Sequence, residues 1–245
     1  MLKVYYLMHS SFVVELDDRY LLFDYFEKDV LRDAVEYRGS LPELDKNKRL
    51  YVFSSNCHKD HYTENIFNIF HGSSYVKYIL SKDIKLKRGL VDKSTMQFVG
   101  PLHKYSIDDM TVETLRSNDV GVAFVISVGG YNIYYAGTLN WWNAEGRGEL
   151  YGEQYGREYR RYLRPILNRK FDLGFVPMDA RMGEDGYFLG MDYFIKHIDC
   201  DTIFPMNMWR DYKWISRFKT RPDIVNLKDR LIDIERENMI FEIED

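Results

Sequence analysis

No stretch of the 245 residues approaches the roughly 18 uninterrupted apolar residues that a membrane-spanning helix needs, so no membrane association is expected. Cysteine is scarce: Cys57 and Cys200 are the only two. That is too few for a disulfide scaffold, and it suits a reducing compartment. The first residues, Met1-Leu2-Lys3-Val4-Tyr5-Tyr6, run straight into strand-like sequence without the apolar core of a leader, so the expected location is cytoplasmic. Positive charge is not in excess. Thirty-four Lys and Arg face 38 Asp and Glu, a net charge of −4, which argues against a nucleic-acid partner bound over a broad basic surface. A linker rich in Gly, Ser or Pro is also missing, as is any short repeat, and the expectation is one domain over residues 1–245.

Aromatic residues are abundant, with 20 Tyr and 15 Phe, and they suit a pleated, half-buried surface. The first part of the chain reads as strands in series. Val4–Leu7 precedes a turn at Met8-His9-Ser10, and Phe12–Leu16 and Tyr20–Tyr25 flank an Asp17-Asp18 turn as a hairpin. Asp29 to Tyr37 reads as a short helix. Leu50–Phe53, Tyr75–Leu80, Met96–Val99, Thr111–Leu115, Val122–Ile126 and Asn132–Tyr135 read as strands, with Gly129-Gly130 as a hairpin turn. From Glu149 to Asn168 the chain reads as a long, mostly exposed helix whose Arg157, Arg160, Arg161 and Arg164 share one face. Strand and helix alternate thereafter: Leu173–Pro177, Met191–Ile195, Thr202–Pro205, Trp214–Phe218 and the closing strand Met239–Ile243. Such an order implies two sheets with helices outside them.

Chemistry concentrates in Ser54-Ser55-Asn56-Cys57-His58-Lys59-Asp60-His61, on the turn that leaves an apolar strand. Imidazole nitrogens and carboxylate oxygens are good ligands for zinc and similar ions, and loops held at strand ends are where such groups gather. Cys57 reads as a small buried filler. His9 in its turn is either a site residue or a satisfier of turn backbone groups, and Asp24, ending a strand, is a candidate supporting carboxylate. His103 reads as a surface residue. Asp179-Ala180-Arg181 reads as a pocket-edge ion pair, and Trp141, Trp142 and Trp209 as wall or core residues.

The stretch resembles the His-x-His-x-Asp-His signature of the metallo-β-lactamase-fold hydrolases, with Asn56 where the first histidine belongs and His58, Asp60 and His61 at the other three positions. The resemblance extends to Leu21–Tyr25, to Ala136-Gly137-Thr138-Leu139-Asn140-Trp141-Trp142, and to Phe204–Trp209. These segments are similar to a bacterial branch with the pattern Ala-Gly-Asp-Leu-Asn-Trp-Trp and a later Met-His-Phe-Trp. It implies an α+β or α/β fold, the four-layer αβ/βα sandwich with two mixed β-sheets flanked by helices. It also implies that one metal would be held at Asn56, His58 and Asn118, a second at Asp60, His61 and Asn207, and that the bridging carboxylate stands at Thr138.

On that reading Asn56, Thr138, Asn207 and Asn118 are weak or neutral where the family has strong ligands. Amide oxygens suit calcium or magnesium better than zinc. A neutral hydroxyl cannot offset the repulsion of two dications about 3.5–4 Å apart. A two-zinc centre is therefore not expected. Two states remain. In the first, one divalent ion, zinc or manganese, is held by His58, Asp60 and His61 with His9 or Asp119 as a fourth group. In the second no metal binds, and a hydrogen-bonded polar pocket near His9, Asn56, Asn118, Asp119, Thr138 and Asn207 takes a small-molecule ligand. The expected function is a metallo-hydrolase-like protein without ordinary two-zinc hydrolysis. Its alternative is a one-metal hydrolase of lactones, esters or phosphoesters in which Asp60 and His61 are the catalytic pair and Asp60 is ligand or general base.

Overall fold

The computed structural model describes residues 2–27, 38–70, 72–86 and 92–243; the helix expected over Asp29 to Tyr37 lies outside them. In chain order the strands are β1 (Leu2–Met8), β2 (Ser11–Glu15), β3 (Arg19–Phe23), β4 (Arg49–Ser54), β5 (Val76–Ser81), β6 (Met96–Val99), β7 (Lys104–Ile107), β8 (Met110–Arg116), β9 (Val122–Val128), β10 (Tyr131–Tyr135), β11 (Lys170–Pro177), β12 (Asp199–Met206) and β13 (Met239–Ile243). The helices are α1 (Ile66–Ile69), α2 (Glu149–Leu163), α3 (Leu189–His197) and α4 (Lys213–Lys219).

Two compact units result, Met1–Gly100 with Arg236–Asp245, and Pro101–Glu235. The first holds a seven-stranded sheet in the order β13-β1-β2-β3-β4-β5-β6. Its β13-β1-β2-β3 half is antiparallel, and β3 to β6 run parallel. The run Leu50-Tyr51-Val52-Phe53 is apolar on both faces because β4 lies inside the parallel half, where both faces are covered. Leu22, Val52 and Leu80, from adjacent strands, pack with Ile66, Phe67 and Phe70 of the α1 segment. Phe23 and Phe53 stack on the neighbouring strands β3 and β4, centroids 5.1 Å apart.

The second unit holds a six-stranded sheet, β12-β11-β10-β9-β8-β7, parallel from β12 to β10 and antiparallel from there on. Gly129 and Gly130 turn the β9–β10 hairpin with φ of 58° and 88°, the left-handed values glycine adopts without a Cβ clash. Helix α3 packs on β11 and β12. Arg230 closes its C-terminal end, donating to the carbonyls of Ile195 and Ile198, and also to that of Cys200 in β12. Two mixed sheets with helices are the components the sequence implies. The strand β7 was not anticipated: its pattern, Lys104-Tyr105-Ser106-Ile107, is too short and too polar to announce a strand, and pairing to β8 forms it.

At the β2–β3 hairpin, the nearly buried Arg19 donates through Nε and Nη2 to the Asp18 carboxylate at 2.7 and 2.8 Å, and Arg49 also donates to it. The Arg19 hydrogen bonds, and next those of Arg49, outweigh partial burial and hold the Asp18 carboxyl down to about 2. A carboxyl held below its unfolded value of about 3.9 contributes stability above that value and loses it as pH falls toward its folded value. Asp18 is half exposed, so the contribution is at most about 1 kcal/mol. Denaturant titrations at stepped pH are expected to show wild type losing that increment between about pH 4 and 2, whereas Asp18→Asn loses none of it there.

Candidate metal site

In the first unit the ends of β1, β3 and β4 set the site. His9 follows β1 with φ 58°, and Asp24 follows β3 with φ 44°. Left-handed backbone is tolerated by short polar side chains and by histidine, and here it turns each residue off the end of its strand. His9 N–H donates to the Tyr6 hydroxyl at 2.9 Å, which ties the turn to β1. Ser10 Oγ donates to the Asp60 carbonyl at 2.6 Å and ties the same turn to the loop after β4.

Asp24 is fully buried and fully engaged. It accepts the Ser55 amide N–H and the Ser55 hydroxyl, each at 2.6 Å, and it meets His61 Nδ1 at 2.6 Å. A carboxylate only accepts, so His61 carries its proton on Nδ1 and presents the lone pair of Nε2. His61 Nε2 lies 4.0 Å from Asp60 Oδ2, and His9 Nε2 lies 3.3 Å from that same oxygen. One ligand atom from each of His9, Asp60 and His61 lies within 4.8 Å of the other two, the only such group of three His, Cys, Asp or Glu residues among the described residues. Burial pushes the Asp60 carboxyl up. The hydrogen bond from His9 and the electrostatic pull of the His61 and His9 rings outweigh that and hold it well below the usual carboxylate range.

The sequence placed His58 among the ligands. In the structure its side chain is exposed and does not join this group, whose third donor is His9 instead. Cys57 is exposed rather than buried: the loop is pinned through the Cys57 amide, which donates to Asp83 at 2.9 Å, and the thiol is turned outward. Asn56 is wholly buried, and its amide works as a local lock. Oδ1 accepts the His58 amide at 2.9 Å, and Nδ2 donates to Ser55 Oγ at 2.9 Å. A chain of hydrogen bonds thus runs from the His58 backbone through Asn56, Ser55 and Asp24 to the His61 ring.

The remaining candidates belong to the second unit. Thr138 Oγ1 donates to the Val120 carbonyl at 2.8 Å and meets Ser117 Oγ at 3.1 Å. Asn118 and Asn140 bond reciprocally: Asn118 Nδ2 donates to the Asn140 carbonyl at 2.8 Å, and the Asn140 amide donates to Asn118 Oδ1 at 3.3 Å. Asp119 is exposed, and its amide donates to Ser117 Oγ at 3.1 Å. Asn207 is buried with φ 63°, and its Oδ1 has no hydrogen-bond partner among the described residues. Sequence reasoning missed Ser55, the hinge of the Asp24 network.

A strand-end group of two histidines and one carboxylate, with a buried supporting carboxylate, thus stands at the edge of the first unit's mixed sheet. Residues 3–146 match the Beta-lactamase superfamily domain, and the chain belongs to that superfamily. Among curated proteins none matches the chain. Similar solved structures include Igni18, a metallo hydrolase from the hyperthermophilic archaeon Ignicoccus hospitalis KIN4/I, which is 17% identical over 99% of both chains with a TM-score of 0.60. The metallo-beta-lactamase fold protein YhfI from Bacillus subtilis is 12% identical over 99% of this chain and 100% of its own, at a TM-score of 0.58. A possible metal-dependent hydrolase from Veillonella parvula DSM 2008 is 11% identical over the same shares, also at 0.58. These likenesses show the metallo-β-lactamase fold. Among the described residues no helix is long and apolar enough to cross a membrane.

Proposed function

We propose that this member of the superfamily has one cation site in place of a two-metal centre, and that its residual chemistry is that of a mononuclear metal-dependent hydrolase. The observation that carries the reading is the His9–Asp60–His61 group with Asp24 on the far nitrogen of His61. Two imidazoles and one carboxylate suit zinc, manganese or ferrous iron. A carboxylate on the outer ring nitrogen orients a ligating histidine and raises its basicity. The two-metal set does not fit. Asn56 is committed to the Ser55–His58 lock, and Thr138 and Asn118 are committed to bonds within the second unit.

His9, Asp60 and His61 would hold the ion. A divalent ion bound there supplies Lewis acidity toward a carbonyl or phosphoryl oxygen and acidifies water. Asp24 keeps His61 in one tautomer and one orientation, which fixes Nε2 as the donor. Asp60 remains ionised, which provides the one negative charge among the three donors and a proton acceptor whose basicity is low. Two neutral imidazoles and one carboxylate leave most of a dication's charge to be met by the substrate, which favours an anionic or strongly polar one.

A second reading has its own observation. The 3.3 Å contact pairs His9 Nε2 with the Asp60 carboxylate without an ion, which supports a metal-free polar site as the second reading. Metal analysis of protein purified without chelator distinguishes the two. The one-cation reading expects about one equivalent of zinc, manganese or iron per chain, displaced by chelators, with hydrolysis of an ester or phosphoester panel dependent on that ion. Two tightly held ions would refute the one-site assignment, and none at saturating zinc or manganese would leave the metal-free pocket.

A further inference from the structure

Asn56, Ser55 and Asp24 are each wholly buried, and one run of hydrogen bonds joins them to the His61 ring. The chemistry of the groups fixes the direction of every link. The His58 backbone N–H only donates, so the Asn56 atom that faces it at 2.9 Å is the amide oxygen, Oδ1. The other end of that amide is then the NH2 group, a pure donor, and it reaches Ser55 Oγ at 2.9 Å. The Ser55 hydroxyl has one proton. With Asn56 donating to its oxygen, that proton goes to the Asp24 carboxylate, which only accepts, at 2.6 Å. Asp24 Oδ2 thus receives the Ser55 hydroxyl and faces His61 Nδ1, also at 2.6 Å, while Oδ1 takes the Ser55 amide.

Two features separate this run from ordinary satisfaction of buried polar groups. It is one-way: no member can reverse its donor without breaking a neighbour's bond, whereas a lone serine hydroxyl rotates to suit whichever acceptor is near. It also ends on the ring of a cation-group histidine. With Nδ1 held by Asp24, Nε2 is the nitrogen on the side of Asp60, 4.0 Å from Oδ2. Position 56 is a ligand position in the signature that the stretch resembles. Here its amide is engaged at both ends, by the His58 N–H and by Ser55.

We propose that Asn56 is a positioning residue of the cation group: by donating to Ser55 it commits the Ser55 hydroxyl to Asp24, and so holds that carboxylate, and the His61 ring bonded to it, in one orientation. This role rests on the one-cation reading of the site, but its physical content is a property of the metal-free protein. Without the Asn56 donor the Ser55 hydroxyl is released as a rotor. Asp24 Oδ2 then loses a fixed donor, and the ring that depends on it is clamped less firmly.

The test has two arms. In metal-free protein, NMR follows the exchange of the His61 Nδ1 proton with solvent, which is slow while the ring is clamped on a fixed carboxylate. Asn56→Ala is expected to speed that exchange about 2–10-fold, the equivalent of one neutral hydrogen bond. Ser55→Ala removes the relay and keeps the link from Asn56 to His58, so it serves if the first variant does not fold, and it is expected to speed exchange at least as much. Ser55→Thr keeps the hydroxyl and is expected to exchange as wild type does. The double alanine variant is expected to match Ser55→Ala alone, because Asn56 acts through that hydroxyl. In the second arm the same proteins are titrated with zinc, and the Kd is expected to rise about 2–10-fold in the alanine variants but not in Ser55→Thr. Wild-type exchange in Asn56→Ala overturns the proposal. So do effects that simply add in the double variant, or zinc affinity unchanged in both alanine variants. A wild type that binds no zinc defeats the one-cation reading instead, and the exchange arm still decides whether Asn56 holds the ring.

Discussion

Asp60→Asn is expected to lose tight binding of zinc or manganese while remaining folded. Asp60 contributes the one negative charge among the three donors of the cation group, and its carboxylate oxygen is the atom that both histidines face. An amide in its place is neutral, and an amide oxygen is a poor zinc ligand. Two neutral imidazoles then face a dication whose charge nothing offsets. The expected loss exceeds the roughly 10–100-fold that follows from removing a supporting partner outside the ligand set. Asp24→Asn supplies that smaller effect for comparison. It should keep His61 in place but weaken the anchor on Nδ1, and so cost about 10–100-fold. Asp60 is partly exposed and near the surface of its loop, so its replacement should change thermal stability little, whereas Asp24 is wholly buried with three hydrogen bonds and should not be so tolerant. Titration calorimetry with zinc and manganese, alongside thermal melts of the metal-free proteins, separates the two. An Asp60→Asn protein that binds as wild type does would remove the group from consideration as the cation site.

The origin of that group shows what sequence can and cannot convey. The strands around it were legible as runs of apolar residues, although the run read as Tyr20–Tyr25 ends in the structure at Phe23 and the run Leu50–Phe53 extends to Ser54. The closing strand Met239–Ile243 was legible too, but not its pairing to β1, which depends on a contact across nearly the whole chain. The signature stretch located Asp60 and His61 at once. It pointed to His58 as their companion because spacing in sequence carries no information about which way a loop turns. Asn56 decides that turn. Its side chain accepts the His58 amide and bonds Ser55, and His58 itself is exposed. His9 was visible only as a histidine in a turn. Its membership rests on a left-handed backbone and on the Ser10–Asp60 hydrogen bond, a contact over 50 residues. Asp24 was visible as a carboxylate ending a strand, and Ser55 was not visible at all, since a serine becomes a hinge only when a buried carboxylate sits opposite it. In the second unit the α2 helix was read from its charges and tyrosines, and Arg160 in fact lies over Trp141 at 4.6 Å, so part of the arginine stripe serves packing.

Phe175→Ala is expected to be among the most damaging single substitutions in the second unit. Phe175 lies on β11, fully buried, between Tyr135 on β10 and Phe204 on β12, and the pairing register sets all three opposite one another. The rings form a row across three parallel strands. Phe175 stacks on Phe204 with centroids 5.2 Å apart and planes 16° apart, and leans on Tyr135 at 5.8 Å. Truncation removes the middle ring from both contacts and leaves a cavity in the parallel half of the sheet, which cannot collapse without displacing strands held by ladder hydrogen bonds. Phe→Ala changes in cores cost about 3–5 kcal/mol, against a total stability of roughly 5–15 kcal/mol for a folded protein. At about 2–4 °C per kcal/mol for a chain of this size, the melting temperature should fall by about 6–20 °C. Phe175→Leu fills part of the space without an aromatic face and should fall between wild type and alanine. Leu150→Ala, at a side chain 80% exposed, is the control and should shift stability by less than about 0.5 kcal/mol. Urea denaturation with a midpoint shift and unchanged slope would report a pure stability loss. A Phe175→Ala protein within about 1 kcal/mol of wild type, where packed aromatic pairs alone contribute about 0.5–1.5 kcal/mol each, would mean that the row of rings is not what holds β10, β11 and β12 together.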